Sequence, residues 1–259
     1  MTNPLYPAFF RLDRLQLLVV GAGEVGEEKL SFILKSSPNA RVVIVAPWMG
    51  EELKALLDNY DDQASAQVQG ELDEAGFGGA TLTAARFAGE PAAGEWQTSA
   101  GGTVIWYARE FRETDVDIAD LVVAATNFKD INLAVHAAAK QARRLTNIAD
   151  TPSLCDFYLG SIVTRGPLKI AISTNGQSPT FAKRFRQFLE AELPDLETTN
   201  LLDNLKVFRD RLTGDFKAKV RQLNAVTGSL LASTEGEQAG CRCPEGECLV
   251  EAAAKDNTP

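Results

Sequence analysis

Apolar residues first gather in "LQLLVV", residues 15–20, a continuous run ending at glycine. Such a run predicts a strand buried on both faces of a parallel sheet. From Glu24 the spacing changes: Leu30, Ile33 and Leu34 fall on one side of a helix, which "SSPNA" (36–40) stops because proline cannot continue it. "RVVIVA" (41–46) is a second buried strand, and helical spacing returns over 50–58 and 130–142. Further strands are predicted at "TVIWYAREF" (103–111), "DLVVAAT" (120–126) and "LTNIA" (145–149). Strands alternating with helices predict an α/β fold, a Rossmann-like doubly wound parallel sheet over residues 1–150.

Two stretches break that rhythm. Residues 61–102, rich in Ala, Gly and acidic residues, hold no sustained period and are expected to be an insertion, either a functional excursion or a mobile one. After Asp150, "GSIVTRGPLKIAIS" (160–173) predicts two strands joined at "RGP", and 178–193 a helix capped by Ser178, with Pro179 at its first position and Phe181, Phe185, Phe188 and Leu189 as its apolar face. This gives a small α+β region over 151–192. Two more amphipathic helices near 200–212 and 215–227 make a helical region over 193–232, and the acidic tail 233–259 is expected to be disordered.

Composition narrows the partners. With 45 % hydrophobic residues among 259, the chain buries a full core, and a formal net charge of -9 argues against nucleic acid or an anionic membrane surface. No apolar run is long enough to cross a bilayer, so a cytoplasmic protein with a small-molecule ligand is expected. Cys155 stands alone while Cys241, Cys243 and Cys248 crowd the tail, which is not the spread of a disulfide framework. Three tail thiols fall one short of a closed tetrahedral metal site; a fourth ligand would have to be Cys155, His136 or a residue of a second subunit. No metal ligand is assigned.

The chemistry begins at "GAGEVG". Gly21 permits a tight turn, Gly23 lets backbone approach a pyrophosphate and Gly26 lets helix pack on strand, while the helix N-terminus offers its amides to phosphate. An acidic residue for the ribose hydroxyls is missing after the second strand, where Ala46, Pro47 and Trp48 stand, so charge does not choose between NAD and NADP. Thr126, Asn127 and Asp150 fall at the carboxyl ends of the fourth and fifth strands, where open sheets bind ligands. Asp150, just before "TP", is either a turn aspartate or a general acid or base beside the cofactor.

"LLVVGAGEVGEEKL", "DLVVAATNFKDINLAV" and "NIADTPSLCDFYLGSIVTRGPLKIAISTNGQSP", in this order and spacing, resemble the precorrin-2 dehydrogenase / sirohydrochlorin ferrochelatase family, the N-terminal module of siroheme synthases. The likeness covers about Pro7–Leu57 and Val104–Leu212. It implies NAD-dependent oxidation of precorrin-2 to sirohydrochlorin, in some members followed by insertion of Fe2+ (or Co2+), and a homodimer whose dimerisation region is the segment after the Rossmann domain. The resemblance places the catalytic aspartate at Asp150 and cofactor contacts at Gly21, Gly23, Glu24, Val25, Pro47, Trp48, Thr126 and Asn127. It also sets Ser173 and Thr174 near the tetrapyrrole, where the alternative is an ordinary strand end and turn. A substrate rich in carboxylates calls for local cations, for which Arg165, Lys169, Lys183, Arg184 and Arg186 are candidates against the alternative of a solvated face. A different NAD-dependent dehydrogenase and a non-catalytic NAD-sensing module on the same fold are the competing expectations.

Overall fold

The computed structural model describes residues 3–67 and 84–228. Its elements run β1 (Gln16–Val20), α1 (Glu24–Ser36), β2 (Arg41–Val45), α2 (Glu51–Gln67), β3 (Gly94–Gln97), β4 (Thr103–Tyr107), β5 (Leu121–Ala124), α3 (Lys129–Gln141) and β6 (Leu145–Ile148). A hairpin of β7 (Ser161–Arg165) and β8 (Leu168–Ile172) follows, then α4 (Pro179–Glu192), α5 (Asp195–Arg211) and α6 (Phe216–Thr227).

Six strands form one sheet in the order β3-β4-β2-β1-β5-β6, all parallel except β3. Strand order reverses at β1, so the crevice at its carboxyl end is the expected ligand position. Every residue of β1 and β5 is buried, as continuous apolar runs require of strands covered on both faces. Leu30, Ile33, Leu34, Leu53 and Leu57 cover one face from α1 and α2, and Val135, Ala138 and Ala139 of α3 cover the other.

Part of the 61–102 stretch is regular. Residues 61–67 continue α2, and β3 pairs antiparallel with β4, fastened to α2 by the Trp96 indole donating to Asp58 Oδ1 (2.7 Å) and the Gln97 amide donating to Asp61 Oδ1 (2.8 Å). Ahead of β3 the chain is anchored where the Ala84 amide donates to Thr103 Oγ1 and the Ala85 amide to Gln16 Oε1. The expected strand 103–111 ends at Tyr107 because Arg109 turns away to form a bidentate pair with buried Asp115 (2.8 Å and 2.8 Å) and a second pair with Glu90. The expected disordered tail 233–259, with Cys241, Cys243 and Cys248, lies outside the described residues, as does 68–83.

The chain divides into two compact units. One holds the described residues up to Val163 together with Ile170–Phe188; the other holds Thr164–Lys169 and the described residues from Leu189 on. The sheet, the glycine turn, Asp150 and most of α4 belong to the first.

Candidate functional site

Gly21 follows β1 with φ of 103°, a left-handed backbone that only glycine adopts readily. A Cβ on it would stand 2.5 Å from the Ala125 carbonyl oxygen, and one on Gly26 would stand 2.4 Å from that of Gly21. The first and third glycines are therefore there for strand-to-turn and turn-to-helix contact. Gly23 is the N-cap of α1 and brings no side-chain acceptor to the first-turn amides, which remain available to an anion. This cradle fits a dinucleotide phosphate: two glycines bring the backbone close and the helix start is not capped by its own chain.

The turn opens into a cleft of about 450 Å³ whose lining includes Gly21, Gly23, Pro47, Trp48, Thr126 and Asn127. These six expected cofactor residues come from three different strand ends and meet in one place. Glu24, Val25 and Gly26 are not in the lining; they form the first turn of α1, with Gly26 buried under Gly21. The lining also includes Glu110 and Phe111 after β4 and Phe128 and Ile131 at the start of α3, none of which the sequence pattern had singled out. Trp48 is 61 % exposed, with its ring edge 3.3 Å from where a Gly23 Cβ would stand.

The loop after β5 is held by a buried side chain the sequence reading missed. Asn132 on α3 donates from Nδ2 to the Thr126 carbonyl (2.9 Å), and its Oδ1 accepts from the Thr126 hydroxyl (2.7 Å). The same hydroxyl accepts from the Phe128 amide (3.2 Å). Asn132 shares a helical face with Val135 and Ala139, and a polar residue on an otherwise apolar face was the available signal.

Asp150 lies one strand over. The Ala149 amide donates to the Ala124 carbonyl (2.9 Å), carrying the β5–β6 ladder to the strand end, and Asp150 then takes φ of 56° with its side chain exposed. Aspartate tolerates this backbone better than most residues. Behind it the loop is pinned three ways. The Cys155 thiol accepts from the Ile148 amide (3.2 Å). Asn147 Nδ2 donates to the Phe157 carbonyl (2.9 Å) while its Oδ1 accepts from Lys29 Nζ (3.0 Å). Asp156 accepts from the Thr146 amide and hydroxyl and pairs with Lys140. Partial burial pushes the Asp156 carboxyl up, but Lys140 and Thr146 together outweigh it and leave the group below its ordinary range.

Ser173, Thr174 and Ser178 line a second, smaller cleft of about 360 Å³ with Asn3, Asn175, Gln177 and Phe181. Within it, Ser173 Oγ accepts from the Asn175 amide, Thr174 Oγ1 from the Ser178 amide, and Ser178 Oγ caps α4 through the Phe181 amide. Lys183 and Arg184 are exposed on α4. Arg165 is committed elsewhere: its guanidinium donates to the Thr164, Glu190 and Leu193 carbonyls, closing the carboxyl end of α4. Burial pushes the Lys169 ammonium below its ordinary range. Among the described residues no three His, Cys, Asp or Glu side chains converge as a metal site, and no helix is long and apolar enough to cross a membrane.

Comparison with known proteins agrees with this geometry. A family described as "Putative NAD(P)-binding" matches residues 8–161, and one described as "Sirohaem biosynthesis protein central" matches residues 165–192. Siroheme synthase 1 of Aeromonas salmonicida is 32 % identical over 188 residues, covering 73 % of this chain and 31 % of its own length. Siroheme synthase 2 of Yersinia pestis is 31 % identical over 222 residues, 86 % of this chain and 36 % of that protein. The chain thus spans about a third of the length of these curated relatives. Among solved structures, "SirC, precorrin-2 dehydrogenase" superposes with a TM-score of 0.55 at 22 % identity, covering 86 % of this chain and 89 % of that one, and so shares the fold.

Proposed function

Since the chain belongs to the NAD(P)-binding family matched over residues 8–161, we propose that it oxidises precorrin-2 to sirohydrochlorin with NAD, a step of siroheme biosynthesis. The observation that carries this reading is the exposed carboxylate of Asp150 at the end of β6, one strand over from the glycine-lined cleft. The siroheme-synthase likeness of the chain supports a tetrapyrrole substrate.

The bound nicotinamide supplies a hydride acceptor. Gly21, Gly23 and the first-turn amides of α1 would hold the phosphates of the dinucleotide, and Asn132 fixes Thr126 at the rim beside Asn127. As hydride leaves a ring-bridging carbon of the substrate, Asp150 takes or relays the accompanying proton, so that one hydride and one proton leave together and conjugation extends. The substrate carboxylates require cations, and Lys183 and Arg184, exposed on α4 near the Ser173–Thr174 turn in sequence, are the candidates. If Fe2+ or Co2+ is inserted as a second substrate, the same aspartate takes the two displaced protons one after the other and passes each to solvent. Phe181, Phe185 and Phe188, exposed and stacked along α4, are the surface on which a second copy docks to form the homodimer. We assign the protein to the cytoplasm.

Anaerobic incubation with precorrin-2 and NAD, followed by absorbance, is expected to give NADH and sirohydrochlorin together. Asp150→Asn is expected to lower that rate by about 100-fold or more with NAD affinity within about twofold. Folded protein that yields neither product sinks the assignment, and full activity of Asp150→Asn removes that residue from it.

A further inference from the structure

The end of β2 is where a Rossmann site distinguishes a ribose 2′-hydroxyl from a 2′-phosphate, by a carboxylate in the first case and an arginine in the second. Here that position holds Ala46, Pro47 and Trp48. Among the described residues no lysine or arginine lines the cleft, and the single charged lining residue is Glu110. Carboxylates return a few residues on, at Glu51 and Glu52. The Gly50 amide donates to the Ala22 carbonyl (2.9 Å), which draws the start of α2 against the glycine turn. A Cβ on Gly50 would stand 3.5 Å from that Ala22 oxygen, 3.8 Å from the Trp48 ring and 3.8 Å from Glu52 Oε2. The Glu52 carboxylate is therefore folded back toward Gly50, just outside the residues that line the cleft.

We infer that Glu52 is the residue that selects the dinucleotide: its carboxylate accepts from the ribose diol of the adenosine half and, with Glu110, repels a 2′-phosphate, so the site takes NAD and rejects NADP. The inference rests on the cofactor reading above. Its force comes from sign: among the described residues the one charged residue lining the cleft is an anion, and the excluded group carries about two negative charges. A site discriminates by repelling the wrong ligand as well as by binding the right one.

The test is calorimetric titration of the folded chain with NAD and, separately, NADP. Wild type is expected to bind NAD about tenfold tighter or more. Glu52→Gln is expected to narrow the ratio by about threefold and Glu52→Lys by about tenfold or more, with NADP affinity rising. A rise in NADP affinity is a readout that mere damage to α2 does not produce. Lys54, exposed on the same first turn, is the nearest cation in sequence, and Lys54→Ala is expected to leave the ratio unchanged. The proposal is overturned if wild type prefers NADP, if Lys54→Ala selectively weakens NADP, or if Glu52→Lys keeps NAD binding with the ratio unmoved. Folded protein that binds neither dinucleotide overturns the cofactor reading itself, a result distinct from all three.

Discussion

The parallel sheet and helix α4 are both written in regularly spaced apolar residues, yet only the sheet closes on itself. All five residues of β1 are buried between α1–α2 on one face and α3 on the other. On α4 only Ala182 is buried, while Phe181, Phe185 and Phe188 stand 59 %, 40 % and 55 % exposed, their rings stacked on one another at 5.9 and 6.3 Å. An apolar stripe thus marks a face that must be covered without saying whether its own chain covers it. The described residues lining the cleft all fall in the closed region, within one unit. The α4 face is the open one, and the proposed homodimer completes it.

Breaking the closed region should have the largest effect. Asp115 accepts two bonds from Arg109 and one from the Arg112 amide while almost fully buried. Asp115→Ala removes the bidentate partner of the Arg109 guanidinium and leaves it Glu90, the Glu110 carbonyl and the Phe87 and Tyr107 rings, and should lower unfolding free energy by about 3 kcal/mol, read by urea denaturation. A loss well under 1 kcal/mol would mean the network is ornamental. Next, Gly26→Ala forces a methyl to within 2.4 Å of the Gly21 oxygen and should cost about 1–3 kcal/mol together with NAD affinity, because the phosphate turn itself must shift. Third, Phe185→Asp attacks the open face. It should give a monomer by sedimentation velocity, yet shift monomer stability by only about 1 kcal/mol, the worth of an exposed aromatic stack. NAD binding should survive it; if cofactor binding fails along with dimerisation, the cleft is not complete in one unit.

The strands, the glycine turn and the α4 stripe were legible because each is a local pattern with a definite period. Gly21 and Gly26 could be assigned before any coordinates, since the steric demand of that turn is generic. What escaped depends on partners distant in sequence. β3 is four residues long with only Trp96 buried, too short for alternation to register, and it exists because β4 offers an antiparallel edge and α2 offers Asp58 and Asp61. Asp115 reads as a loop acid until Arg109 is seen against it. Asn132 reads as an ordinary helix residue until its amide is found on Thr126. Glu52 lies outside the window in which the ribose carboxylate is expected, and only the Gly50–Ala22 bond shows how α2 brings it back. Arg165 and Lys183 looked alike as cations, and the fold separates them: one closes α4, the other faces solvent.

The smallest expected effect tests how firmly the closed region holds the loop carrying Asp150. Asp156 joins that loop to β6 through Thr146 and to α3 through Lys140, and these bonds lower its proton affinity in the folded state. A carboxyl whose folded pKa lies below its unfolded value, about 3.9, stabilises the protein above that value and loses the contribution as pH falls through the folded pKa. Asp156→Asn should therefore reduce stability at pH 6 by about 1 kcal/mol or less, the range for a partly exposed pair, and the gap from wild type should close as the pH is lowered below about 4. Thermal unfolding of both proteins across that window measures it. A gap that stays constant down to pH 3 would show that Asp156 acts through its shape and its bond to the Thr146 amide, and not through its charge.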